Sequence, residues 1–179
     1  MHTSINSFNP VSISTFVLKP AFFDLEYDTI VALKNFPKPF VALWDGITMG
    51  GGAGLSLYGS HRIASEHLTF AMPENKIGFF PDVGTCTVFA AMPNEIGTYI
   101  ALSGVHLNAY AALELGLATS YTPRNQQAAL RAELLNADYT KPPRAVIDSI
   151  CSKYNTKLSG HGLMQYAETI NKCFAFNIL

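Results

Sequence analysis

Four glycines stand within five residues, Gly50-Gly51-Gly52-Ala53-Gly54, a short step after the apolar run Phe40-Val41-Ala42-Leu43-Trp44. An apolar run of that length reads as a buried strand, and Leu55-Ser56-Leu57-Tyr58 beyond the glycines reads as the helix they lead into. Glycines between a strand and a helix let the backbone approach a ligand closely and present free N–H groups to it. Tight packing of strand on helix uses the same residues, and the run alone does not choose between the two readings. Its spacing is not that of the dinucleotide fingerprint, and no Gly-Lys-Ser/Thr ending of a phosphate loop follows. The ligand-facing reading that remains is an oxyanion hole, with N–H donors at a helix start aimed at charge developing on a carbonyl oxygen.

The rest of the chain supplies a setting for that turn. Pro20 opens a helical pattern that runs to Phe36 and is stopped by Pro37 and Pro39. Strand-like pieces follow the glycines at Arg62–Ala64 and Leu68–Met72, and Pro73–Gly84 reads as a loop. Helical segments are predicted over Thr85–Met92, Glu95–Leu102 and Asn108–Leu115, the last with Asn108 as N-cap and Gly116 as its stop. Three more are predicted at Gln126–Leu135, Pro143–Tyr154 and Leu163–Phe174. Strands alternate with helices early and helices take over late, which predicts an α/β core with a helical tail.

Composition excludes several classes. Of 179 residues, 49% are hydrophobic and 14% charged, so the chain is not intrinsically disordered. Twelve Lys and Arg against thirteen Asp and Glu leave a net charge of -1, with no basic surplus for nucleic acid. A mean hydropathy of +0.18 predicts either that much of the surface meets another subunit or that part of the parent fold is missing. No membrane span is expected, because the uncharged stretch Ile96–Leu113 is broken by Ser103-Gly104, His106 and Asn108. Cys86, Cys151 and Cys173 form no CxxC pair and read as reduced, mostly buried thiols. His61 and His67 lack metal-ligand spacing, so no metal is assigned. Without a G-x-S-x-G elbow, Ser56 is not a triad nucleophile.

Three carboxylates draw notice. Glu74 and Asp82 lie in Met72-Pro-Glu-Asn-Lys-Ile-Gly-Phe-Phe-Pro-Asp-Val-Gly84, each directly after a proline. Phe79 and Phe80 predict partial burial of this loop, and a carboxyl in an apolar setting has its pKa raised toward useful acid or base strength. A structural reading stands beside that one: Glu74 pairs with Lys76, and Asp82 N-caps the next helix, the favoured role for an Asp there. Glu26 shares a helical face with Phe22, Ile30 and Leu33, with Phe23 beside them. An acid on an apolar face needs a partner or a pocket.

The stretches Lys38-Pro-Phe-Val-Ala-Leu-Trp-Asp-Gly-Ile-Thr-Met-Gly-Gly-Gly-Ala-Gly-Leu-Ser56, Phe70-Ala-Met-Pro-Glu74 and Ile77-Gly-Phe-Phe-Pro-Asp-Val-Gly84 together resemble the enoyl-CoA hydratase/isomerase (crotonase) superfamily. Within it the likeness is to the 3-hydroxyisobutyryl-CoA hydrolase group, over roughly Pro20 to Phe174. The resemblance implies a crotonase-like ββα spiral core over 20–123, incomplete at its N-terminus, after an irregular leader at 1–19 and before a helical region at 124–179. It implies hydrolysis of an acyl-CoA thioester in valine breakdown, with Gly51 giving an oxyanion N–H and Glu26, Glu74 and Asp82 contacting substrate. Glu74 and Asp82 would be catalytic together with Gly51. The superfamily's hydratases carry a catalytic Glu where this chain has Gly54, which argues against hydration. Coenzyme A is then part of the substrate, and no separate cofactor is expected. The resemblance implies a mitochondrial location, although residues 1–19 lack the arginines of a transit peptide.

The same family has a strand-rich segment before the helix at Pro20, carrying the second oxyanion donor, and further helices after Phe174. The sequence accordingly reads as the middle of a hydrolase, expected to be inactive alone and to associate with other copies of itself. The alternative is a non-catalytic binding subunit, such as the hydrolase-like component of some mitochondrial ribosomes.

Overall fold

Proline has the fixed φ of a first helical position, and the first helix, α1, runs Pro20–Lys34 in the computed structural model, which describes residues 20–175. The leader expected over 1–19 lies outside the described residues. On α1, Ile30 is buried and Phe23, Glu26 and Leu33 are half-buried, a set at helical spacing. Phe22, expected on that face, is 56% exposed. Phe23 takes the inward place, stacked on Phe79 with ring centroids 6.3 Å apart.

The apolar run becomes strand β1 (Val41–Trp44), and a three-residue strand β2 (Ile47–Met49) follows where the sequence suggested only loop. Helix α2 is Gly50–Leu57, so the glycine run forms the helix itself instead of leading into it. Strands β3 (His61–Ala64), β4 (Thr69–Ala71) and β5 (Ser120–Tyr121) complete two small parallel sheets. One has the order β1-β3-β5 with Val41 opposite His61, and the other pairs β2 with β4, Ile47 opposite Thr69. β2 and β5 are too short to show a period; their pairing partners define them.

The remaining helices are α3 (Thr85–Ala90), α4 (Ile96–Ser103), α5 (Ala109–Glu114), α6 (Arg124–Asn136), α7 (Pro143–Tyr154) and α8 (Ala167–Phe174). The long uncharged stretch is split between α4 and α5, and among the described residues no helix is long and apolar enough to cross a membrane. Asn108 caps α5 as expected, its Oδ1 accepting from the Ala111 N–H at 2.8 Å. The main core joins Trp44, Phe70, Met72, Ile96, Ile100 and Leu107, with the Trp44 and Phe70 rings 5.4 Å apart. A second cluster holds Ile63 of β3 against Leu130 of α6 and Ile147, Ile150 and Cys151 of α7. His61 Nε2 and Asp148 Oδ1, 2.8 Å apart, tie β3 to α7.

One expectation about burial fails. Cys151 is buried, but Cys86 and Cys173 are exposed. Helix α3 buries Thr85 and Phe89, which turns the intervening Cys86 outward. The acid loop is partly buried as expected, through Pro81 and Val83, with Glu74 and Asp82 half-buried. Phe79 and Phe80, however, are 38% and 61% exposed, their rings stacked 4.4 Å apart. Phe80 stacks on Phe79, which in turn stacks on Phe23 of α1.

Candidate active site

Helix α2 opens at a sharp turn that glycine alone makes comfortably. Gly50 has φ +52°, in the left-handed region. The N–H groups at the start of a helix have no acceptor within it, and here those include Gly50, Gly51 and Gly52. The N-cap, Met49, offers them no side-chain acceptor. Trp44 Nε1 donates to Ser56 Oγ at 2.9 Å and Ser56 Oγ donates to the Gly52 carbonyl at 2.8 Å, fixing the helix to β1.

Two glutamates from separate elements come close to this helix start. A Cβ added to Gly50 would stand 3.2 Å from Glu74 Oε1, and one on Gly51 would stand 3.4 Å from Glu26 Oε1. Glu74 begins a short 3-10 turn, Glu74–Ile77, entered from Pro73. Its Oε2 is buried and has no hydrogen-bond partner among the described residues. The pairing of Glu74 with Lys76 is absent among the described residues, because the 3-10 turn sends Lys76 into solvent.

Asp82 does not cap α3. The N-cap is Gly84, with no side-chain acceptor, and it is the Asp82 carbonyl that accepts from Thr85 N and Oγ1 at 2.9 and 2.8 Å. Left-handed φ values at Val83 (+44°) and Gly84 (+80°) turn the chain so that the Asp82 carboxylate faces α1 instead. There the Tyr27 hydroxyl donates to Asp82 Oδ2 at 3.0 Å. Tyr58 clamps the turn from below, donating to the Gly84 carbonyl at 2.8 Å.

The electrostatics tie the three acids into one site. Burial, and then the charge of Asp82, push the Glu26 carboxyl above its ordinary value. Glu74 is raised for the same two reasons, with burial the larger and a backbone hydrogen bond opposing it. Burial lifts the Tyr27 phenol to about 12, helped by the hydrogen bond to Asp82 and the charges of Asp82 and Glu26. Cys86, on the rim, is raised by burial and by Asp82 and Glu74. Two carboxyls raised above their ordinary values beside the backbone donors of a helix start are groups that can polarise a carbonyl and move a proton.

All four residues singled out in the sequence, Glu26, Gly51, Glu74 and Asp82, therefore meet at one place. Tyr27 and Val83 complete it and were not anticipated. Tyr27 follows Glu26 directly, and only its contact with a loop 55 positions away distinguishes it. Val83 lies inside the Ile77–Gly84 motif, but nothing in the sequence marks its contact with Gly54.

Residues 12–179 match the enoyl-CoA hydratase/isomerase family. The chain belongs to that family. Among its relatives is the human mitochondrial 3-hydroxyisobutyryl-CoA hydrolase, 36% identical over 165 residues, 89% of this chain and 42% of that one. A 3-hydroxyisobutyryl-CoA hydrolase of Arabidopsis thaliana is 34% identical, over 86% of this chain and 41% of its own length. The small ribosomal subunit protein mS47 of Neurospora crassa is 44% identical over 121 residues, 66% of this chain and 24% of its own. The chain thus spans well under half the length of these relatives.

Solved structures agree on the crotonase fold. An enoyl-CoA hydratase from Rhodobacter sphaeroides superposes with a TM-score of 0.75 at 31% identity, over 87% of this chain and 43% of that one. A carnitinyl-CoA dehydratase from Mycobacterium thermoresistibile gives 0.78 at 27%, over 88% and 44%. In this family member the position after Ala53 has no room for a side chain: a Cβ on Gly54 would come within 2.3 Å of Val83 Cγ2.

Proposed function

We propose that the protein to which this chain belongs hydrolyses an acyl-CoA thioester, with 3-hydroxyisobutyryl-CoA as its substrate. The observation that carries this reading is the meeting of Glu26 and Glu74 over the first two residues of the glycine helix. The Gly51 N–H donates to the thioester oxygen and stabilises the negative charge that develops there. Glu74, whose Oε2 lies buried and unpaired, either attacks the carbonyl carbon or takes a proton from the water that does. Loss of the carbon–sulfur bond then releases coenzyme A as thiol, and water supplies the oxygen of the free acid. Asp82 accepts from the substrate's 3-hydroxyl and fixes the acyl group. Glu26 lies close to the same helix start. No separate cofactor enters this chemistry.

The human relative's name places it in mitochondria, and the same compartment is proposed for this protein, in the degradation of valine. The test is CoA release from 3-hydroxyisobutyryl-CoA by the full polypeptide. Glu74→Gln should lower it at least about 100-fold without unfolding the protein. Near-normal turnover in that variant sinks the assignment.

A second reading has its own support. Identity to the Neurospora ribosomal protein, 44%, exceeds the 33–37% found with the hydrolases, although over a shorter stretch. On that reading the chain serves as a binding subunit and the acids are inherited. Co-sedimentation with mitochondrial ribosomes, with no CoA release, would favour it.

A further inference from the structure

We propose that Tyr27 is a positioning residue that holds the Asp82 carboxylate in the orientation by which the site prefers thioesters carrying a 3-hydroxyl. The inference rests on the hydrolase reading above and deepens it.

The geometry assigns one oxygen of Asp82 to each task. Oδ2 accepts from the Tyr27 hydroxyl at 3.0 Å, and no donor reaches Oδ1 among the described residues. A carboxylate free on one side and anchored on the other presents a fixed acceptor, which a lone aspartate on a surface loop does not. Asp82 and Tyr27 share the wall of a cavity of about 320 Å³ with Ile30, Phe80, Val83 and Cys86. With Oδ2 taken by Tyr27, Oδ1 is the oxygen left to accept from a small polar group on an otherwise apolar acyl chain.

A purely structural bond is a poor account of Tyr27. The turn after Asp82 is already fixed by Thr85 on the Asp82 carbonyl and by Tyr58 on the Gly84 carbonyl. Tyr27 is 38% exposed, and a hydrogen bond at that depth adds little to stability. The phenol, pushed up to about 12, keeps its proton at any working pH, so it acts as donor throughout and never as base. It reaches substrate only through Asp82.

Tyr27→Phe in the full polypeptide tests this, with the hydroxylated thioester 3-hydroxyisobutyryl-CoA and its deoxy analogue isobutyryl-CoA as paired substrates. The ratio of kcat/KM for the two should fall about tenfold, the loss of one hydrogen bond to a charged group, while the deoxy substrate changes little. The melting temperature should hold. Calorimetric binding of the two non-hydrolysable thioether analogues should lose the same preference, a readout that needs no turnover.

An unchanged ratio overturns the proposal, as does an equal loss on both substrates, which marks a tether. A variant that unfolds assigns Tyr27 to the fold and overturns it as well. A wild-type protein that neither turns over nor discriminates between the analogues overturns the hydrolase reading together with this inference. A discriminating wild type with an unmoved Tyr27→Phe overturns this inference alone.

Discussion

Val83 occupies the space a side chain on Gly54 would need: a Cβ there would stand 2.3 Å from Val83 Cγ2 and 3.0 Å from the Val83 carbonyl oxygen. Val83 is itself held at φ +44°, a conformation that β-branched residues avoid. Helix α2 and the turn that presents Asp82 are therefore interlocked, and each keeps the other in a strained arrangement.

That contact sets the first expected outcome. Gly54→Ala should lower stability by about 1–3 kcal/mol, the range for overpacking a tight site. Adding Val83→Gly should recover part of the loss, because the two positions share one space. Chemical denaturation of the two single variants and the double variant checks this. Strict additivity would show that the residues do not touch in solution. Gly54→Glu should bring no hydration of enoyl-CoA, since the new carboxylate has nowhere to go.

Glu74 makes stability and rate depend on pH in opposite senses. Its carboxyl titrates above 4.5 in the fold because burial and Asp82 disfavour the charge. The folded state then holds the proton more tightly than the unfolded chain. Its favourable contribution is complete below 4.5 and is lost as pH rises through the raised value. Glu74→Gln should accordingly gain melting temperature over the parent on going from below 4.5 to neutrality. The hydrolytic rate needs the carboxylate, so the acid limb of kcat/KM should lie above 4.5. A melting-temperature difference that is flat with pH would remove Glu74 from the buried cluster.

Asp82→Asn separates anchoring from charge. Its side chain caps no helix, so the melting temperature should hold. Turnover of a 3-hydroxyacyl-CoA should fall by at least about tenfold, since an amide offers a weaker acceptor than a carboxylate. Equal rates for parent and variant would leave Asp82 with no part in the chemistry.

The outer edge of β1 predicts self-association of the 179-residue chain. No strand pairs with that edge among the described residues, and a cavity of about 520 Å³ beside it is lined by Val41, Leu43, Leu134, Leu135 and Ile147. Open edges and apolar surface recruit other chains. Leu135 is 65% exposed, and Leu135→Lys should shift the sedimentation profile toward smaller species. A monomer at every concentration in the parent chain would contradict this.

What the residues dictate locally, they dictate well. Asn108 as a cap, the Pro143 start of α7, the strand before the glycines and the apolar face of α1 all depend on neighbours within one or two turns. The motifs around Gly51, Glu74 and Asp82 likewise name their family from the order of residues alone. The structure decided what depends on distant partners. Asp82 faces Tyr27 instead of capping α3, because the backbone turns through the left-handed region at Val83 and Gly84. Phe79 and Phe80 stay outside and Cys86 lies at the exposed rim, since burial is fixed by which face of a loop or helix meets the core. The strands β2 and β5 exist through pairing with β4 and β3. The contacts of Tyr27 with Asp82 and of Gly54 with Val83 join residues far apart in sequence, where no periodicity or spacing carries a signal. Only packing, which acts through space, brings them together.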